Sequence, residues 1–308
     1  MNSIKIVTSG MYLPNKKIEN DYFNKKFNLD DEWIYQRTGI KERYWSEKEN
    51  LTQISIMSVR NLIQKNNVDI KKEGLIIVAS SNFEDGMPGV SFNIQKEFNI
   101  PNCICMDILA GCSGYINGID IARKYLETEE IEYALIIGAE RTSKYIDKED
   151  LNTAILLGDG AGATLLQKSN NKIYEKNIES IGQQGDILTS KENCNIYMDG
   201  KKVYKFATSR VAENINSLLK KQNIDISKIK YVIPHQSNSR ILNSIAQKIG
   251  ATQEQMYNNI CKVGNTFNAS IPIALNEMIE KKMLKTSDII LLVGYGGGLN
   301  LGSILIEI

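Results

Sequence analysis

Cys105-Met106-Asp107-Ile108-Leu109-Ala110-Gly111-Cys112-Ser113-Gly114-Tyr115, continuing to Glu127, is the stretch on which the reading of this chain turns. Cys105, Met106, Ile108 and Leu109 form a short apolar run of the kind that makes a buried strand. Small residues from Ala110 to Gly114 then turn the chain. Beyond them, Tyr115, Ile119, Ala122 and Leu126 recur on one face of a helix. Strand, tight turn and helix place Cys112 at a helix N-terminus, where free backbone N–H groups and the helix dipole favour an anion. That setting predicts a reactive thiolate and makes Cys112 a candidate nucleophile.

Working outward, the same grammar recurs. Strand–loop–helix at Leu75–Phe98 is answered by Lys230–Ile249, Cys105–Glu127 by Tyr257–Lys282, and strand Tyr133–Gly138 by Ile289–Gly294. The offset stays near about 155 residues, the mark of an internal repeat. The expectation is an α/β protein of two duplicated halves, 1–170 carrying the cysteine and 171–308 carrying the histidine and an asparagine. Other expected elements are a first strand at 3–9, helical patches at Ile18–Phe27 and Asp30–Gln36, and helices at Leu51–Gln64 and Lys205–Lys221. Within the repeat, strand Tyr257–Cys261 and helix Ala269–Lys282 are expected.

Composition narrows the function. With 37 basic and 36 acidic residues the net charge is +1, which argues against a nucleic-acid binder driven by phosphate contacts. No apolar run approaches the roughly 18 residues of a membrane span. The start Met1-Asn2-Ser3-Ile4-Lys5-Ile6 has no signal-peptide core, so a cytoplasmic location is expected. Five cysteines and a single histidine suit neither a disulfide framework nor a Cys/His metal site. Cys103, Cys105, Cys194 and Cys261 read as small, mostly buried hydrophobes.

His235 is the only histidine, so any imidazole chemistry must use it. It follows the apolar run Tyr231-Val232-Ile233-Pro234 and precedes a helix, the position Cys112 has in the first half. Asn265, in Gly264-Asn265-Thr266, lies in the segment that answers the Cys112 unit. Cys, His and Asn permit papain-like hydrolysis or acyl transfer to sulfur followed by carbon–carbon bond formation. Papain-like enzymes carry the cysteine near the mature N-terminus in another local pattern, so hydrolysis is the weaker choice. The runs Gly158–Gly162 and Gly294–Gly298 lack phosphate-loop spacing and lead into strands. They read as close backbone approaches, with a Gly296–Gly298 N–H free to pair with that of Cys112 as an oxyanion hole.

At these residues the chain resembles the thiolase superfamily, and within it the β-ketoacyl-acyl carrier protein synthase III family. The resemblance rests on Trp33–Arg43, Ala110–Tyr115, Gly158–Ala163, His235–Ile241, Gly264–Thr266 with Ala269–Leu275, and Gly296–Gly298. It implies a thiolase-like α-β-α-β-α fold, a Cys112-His235-Asn265 triad, and an oxyanion hole of the Cys112 and Gly297 amides. It implies no cofactor and no metal, with acyl-CoA and malonyl-acyl carrier protein as substrates. Trp33 and Arg37 match residues that hold the CoA adenine and phosphate, and Leu151 stands where the family has an arginine. Met87 matches a residue that reaches the partner's acyl pocket in a homodimer. Lys205 and Arg240 match carrier-protein docking positions. The implied reaction is a decarboxylating condensation that starts a fatty acid or related chain. The alternative is an acyltransferase that passes the Cys112 acyl group to an oxygen or nitrogen nucleophile.

Overall fold

The run Leu75-Ile76-Ile77-Val78-Ala79 is fully buried, as a strand covered on both faces must be. The computed structural model describes residues 3–66, 68–82, 84, 86–170, 173–190 and 195–308. Cys194, read above as a small hydrophobe, lies outside them. In the first sheet the strands run in the order Ser3–Tyr12, Gly160–Ser169, Tyr133–Glu140, Glu73–Ala79, Ile104–Ile108. The last three are parallel, with Ile76 beside Cys105 and Leu135. A second sheet runs Tyr231–Pro234, Ile289–Gly296, Asn300–Glu307, Tyr174–Ser180, with only its first pair parallel.

Helices Gly114–Thr128 and Ser270–Glu280 fill the space between the sheets. Tyr115, Ile119, Leu126, Ile271, Leu275 and Met278 share one core with Ile77, Ile136, Leu292 and Ile304 from the two sheets. Helices Leu51–Asn66 and Val90–Phe98 cover the outer face of the first sheet. Helices Gly200–Gln222 and Ser239–Ile249 cover the outer face of the second. This is the expected five-layer α-β-α-β-α order. Among the described residues no helix is long and apolar enough to cross a membrane.

Four local expectations need correction. The strand expected at Tyr257–Cys261 reduces to one bridge between Val232 and Met256, followed by the short helix Ile260–Val263. The Asn258 side chain accepts from the Ile260 amide, and Gln236 accepts from the Asn259 amide. These local bonds compete with a strand ladder. Ile18–Phe27 is not one helical patch, because Lys16–Glu19 pairs as a strand with Glu42–Trp45 before helix Asn20–Phe27 begins. Cys103, Cys105 and Cys261 are half-buried rather than buried, and the strand Ile104–Ile108, expected to be buried, is a part-exposed edge of its sheet because only Glu73–Ala79 pairs with it.

The buried Arg43 ties the strand pair Lys16–Glu19 and Glu42–Trp45 to the segment at Ile155, within the Cys-bearing half. Its guanidinium donates to the Ile18 carbonyl at 3.2 Å, Asn20 Oδ1 at 2.9 Å and the Ile155 carbonyl at 2.5 Å, and lies over the Phe23 ring. Burial lowers its pKa to about 9. Arg43→Ala would leave these acceptors without their donor, a destabilisation of about 3 kcal/mol. Urea unfolding followed by circular dichroism checks it; a shift within error would show that the contacts are dispensable.

Candidate active site

Cys112 is the middle residue of the turn Gly111–Ser113 that leads directly into helix Gly114–Thr128. The turn is possible because Gly111 has φ +52°, and a Cβ there would lie 2.2 Å from the Gly297 carbonyl oxygen. From the other side, a Cβ on Gly296 would lie 2.8 Å from Cys112 Sγ. The second glycine run is therefore the close approach that its composition suggested. Asp159, in the first run, receives the Ser46 and Ser143 amides at 2.7 and 2.8 Å. That run anchors loops.

The expected resting thiolate is not what the site favours. Burial pushes the Cys112 thiol well above its usual range, and the Glu140 charge pushes the same way. The amides of Gly297 and of Cys112 itself pull in the opposite direction, with less effect. One donor of the helix N-terminus is also engaged, since the Tyr115 amide donates to Asn268 Oδ1 at 3.1 Å. Desolvation thus outweighs the two backbone amides.

Glu140 ends the strand Tyr133–Glu140 and is fully buried. Its carboxylate accepts from the Ser81 amide at 2.8 Å and from Asn268 Nδ2 at 2.7 Å. Burial nonetheless raises its pKa to about 7. Above that pH its charge opposes ionisation of Cys112. Glu140→Gln keeps an oxygen acceptor and removes the charge, so alkylation of Cys112 at pH 8 should accelerate by up to about tenfold, one pKa unit. Iodoacetamide labelling rates check this, and the gain should vanish below pH 7. In the native chain this carboxyl holds a proton that the unfolded chain releases above about 4.5. The contribution of Glu140 to stability therefore falls as pH rises from about 4.5 to 7, so the wild type should lose stability relative to the Gln variant across that window, read from urea unfolding of both at pH 5 and pH 7.5.

His235 follows strand Tyr231–Pro234, and its amide donates to the Val293 carbonyl at 2.7 Å. Its ring packs edge-on to Tyr295, centroids 5.2 Å apart, and Nδ1 lies 2.8 Å from Ser270 Oγ. Burial lowers its pKa to about 3, so the imidazole is neutral across the physiological range. Asn265 is fixed by backbone on both sides. Its amide donates to the Leu156 carbonyl, and its carbonyl accepts from the Gly158 amide, each at 2.9 Å. Its Oδ1 accepts from the Phe267 amide at 3.1 Å. That bond sets the carboxamide orientation and leaves Nδ2 as a donor with no acceptor among the described residues.

Cys112, His235 and Asn265 line one cavity of ≈ 140 Å³, closed by Leu156, Leu188, Ile196, Phe206 and Leu299. Beyond Cys112 a second space of ≈ 390 Å³ opens past Gly297, Ser81, Leu109 and Asn300. Among the described residues no cluster of three His, Cys, Asp or Glu side chains could hold a metal ion. A thiol, a neutral imidazole and an amide N–H₂ converging on an apolar cavity suit a neutral acyl thioester.

Residues 106–182 match the family described as 3-oxoacyl-[acyl-carrier-protein] synthase III, and residues 219–308 match its C-terminal part. The beta-ketoacyl-[acyl-carrier-protein] synthase III of Clostridium botulinum strain Okra is 41% identical over 99% of both chains. This chain belongs to the synthase III family. A Clostridium beijerinckii synthase III is 37% identical over the whole of both chains. The crystal structure of the Aquifex aeolicus synthase III matches with a TM-score of 0.95 and 34% identity, covering 99% of this chain and 100% of that one. The fold is the thiolase-like one of the synthase III family.

The other residues singled out from sequence lie away from the cavity. Arg37 stacks its guanidinium 3.8 Å over the Trp33 ring at the surface, and Leu151 packs in the same cluster as Trp33. Met87 is 96% exposed and lines neither space beside Cys112. Lys205 is exposed on helix Gly200–Gln222. Arg240 donates from Nε to the Gln36 carbonyl at 2.9 Å, holding helix Asp31–Thr38 against its own. Sequence reasoning missed Glu140, Ser270 and Tyr295 as supports of the site. Ser270 and Tyr295 lie within the stretches Ala269–Leu275 and Gly294–Gly298, but nothing in the order of residues ties them, or Glu140, to the site; their neighbours in space do.

Proposed function

We propose that this chain joins an acyl group carried on Cys112 to a malonyl group carried on acyl carrier protein, initiating fatty acid or related biosynthesis. The observation that carries the reading is the meeting of Cys112, His235 and Asn265 at one apolar cavity. Cys112 sulfur attacks the carbonyl of an acyl thioester. The Cys112 and Gly297 amides hold the oxyanion, each such donor lowering the barrier by about 3 kcal/mol. The donor thiol leaves with the proton that Cys112 gives up, and the acyl group stays on sulfur. A malonyl thioester then enters. His235 and Asn265 donate to its thioester carbonyl as the carboxylate departs as carbon dioxide, and the carbanion attacks the acyl-Cys112 carbonyl; the bond from that carbon to sulfur breaks, the 3-ketoacyl thioester leaves, and the Cys112 sulfur takes up a proton to become the thiol again. A neutral imidazole suits this role, because it offers an N–H without a charge to desolvate.

In this reading Trp33 and Arg37 receive the CoA end of the acyl donor, and Lys205 and Arg240 receive the carrier protein. The two sheets, built from 3–169 and 174–307, support a division into duplicated halves at 1–170 and 171–308. The protein is proposed to act in the cytoplasm as a homodimer. Strand Ile104–Ile108 is an edge of its sheet, with Ile104 at 39%, Leu109 at 68% and Phe92 at 49% exposure around it. Exposed apolar edges of this kind mark association surfaces. Light scattering should give a dimer, and Leu109→Glu should shift it towards monomer; an unchanged mass would place the interface elsewhere.

The test of the function is incubation with acyl-CoA and malonyl-acyl carrier protein. Release of carbon dioxide with a 3-ketoacyl product supports it. Acylated Cys112 without decarboxylation would instead favour transfer to an oxygen or nitrogen nucleophile.

A further inference from the structure

We propose that Ser270 is the positioning residue that holds His235 as the tautomer with its proton on Nε2, making it a hydrogen-bond donor without a positive charge. The inference rests on the condensation reading, which needs that donor. Ser270 is fully buried at the start of the central helix Ser270–Glu280. Its Oγ lies 2.8 Å from His235 Nδ1 and 2.8 Å from the Phe267 carbonyl oxygen.

A hydroxyl has one proton to give, so it donates to one of these two groups at a time. If it donates to Phe267, Nδ1 must carry a hydrogen and donate to Oγ, and Nε2 presents a lone pair. If it donates to Nδ1, Nδ1 is the acceptor and the hydrogen sits on Nε2. The Phe267 carbonyl does not depend on the hydroxyl, because it already accepts the Ser270 backbone N–H. Nδ1 has no other partner among the described residues. Burial leaves the ring neutral, so one nitrogen carries the proton and the other does not. Both arrangements leave the hydroxyl and Nδ1 paired, but only the second presents an N–H to the cavity that Asn265 also lines. Both donors then face the carbonyl that becomes an enolate, and no proton need be acquired first.

Because His235 is the only histidine, histidine-selective ¹⁵N labelling yields one imidazole to observe. The wild-type protein should show a protonated Nε2 and an unprotonated Nδ1 at neutral pH. Nδ1 protonation in the wild type would overturn the proposal, and this reading needs no variant to fold. Ser270→Ala should lose the single-tautomer signature. It should also slow single-turnover condensation from preformed acyl-enzyme by about tenfold or more, while the rate of Cys112 acylation changes less than twofold. Ser270→Thr, which keeps a hydroxyl, should restore the signature. An unchanged tautomer in Ser270→Ala, or equal slowing of both steps, would refute the assignment. Absence of any acyl adduct on wild-type Cys112 would refute the condensation reading instead, whatever the tautomer.

Discussion

Cys112→Ala is expected to abolish the acyl adduct and to reduce condensation by about 10⁴-fold or more, the scale on which loss of a covalent nucleophile is felt. The substitution removes only the sulfur. The turn Gly111–Ser113 depends on the φ +52° of Gly111 and on the close approach of Gly297, and alanine disturbs neither. The His235 and Asn265 donors stay in place, because their partners are Ser270 and the Phe267 amide. The variant should therefore still bind a malonyl thioester and decarboxylate it slowly, giving an acetyl thioester rather than a 3-ketoacyl product. Intact-protein mass spectrometry after exposure to acyl-CoA reads the first half, and carbon dioxide release reads the second. An acyl adduct persisting on the alanine variant would place the nucleophile elsewhere. Retained condensation would refute the covalent route.

The stretch that decided the fold was legible because its signal is local. A strand buried on both faces must be apolar throughout, and a helix between two sheets must repeat at about 3.6 residues. The second demand is written in Tyr115–Leu126, where the structure places the helix Gly114–Thr128, whereas the strand Ile104–Ile108 is a part-exposed edge of its sheet rather than a strand buried on both faces. Elements that depend on distant partners were harder to read. Lys16–Glu19 is a strand because Glu42–Trp45 lies beside it, and the buried Arg43 that fastens this pair has its acceptors as far off as Ile155. Tyr257–Cys261 has a strand-like run but loses its ladder to the Asn258 and Gln236 side chains. What acts on the Cys112 thiol was legible only in part, for the same reason. A helix N-terminus can be inferred from sequence, whereas the desolvation and the Glu140 charge that oppose ionisation of Cys112 belong to the assembled core.

Asn265→Ala should have the opposite phenotype to Cys112→Ala. The acyl adduct on Cys112 should form at near the wild-type rate, because the oxyanion donors proposed for that step are backbone amides of Cys112 and Gly297. Decarboxylation should fall by about 10²–10³-fold, the cost of one donor aimed at developing negative charge. Alanine also frees the Phe267 amide from Oδ1, but the backbone bonds to Leu156 and Gly158 remain to hold the segment. Asn265→Asp separates the two contributions. It keeps an oxygen for Phe267 but replaces the N–H₂ donor with an anion beside a developing enolate, so it should be at least as slow as alanine. Mixing preformed acyl-enzyme with malonyl-acyl carrier protein isolates this step. If the aspartate variant condensed at the wild-type rate, the Nδ2 group would have no part in stabilising the enolate. If both variants failed to acquire the acyl group, Asn265 would instead belong to the first half-reaction, and the division of labour between the amide pair and the His235–Asn265 pair would fall.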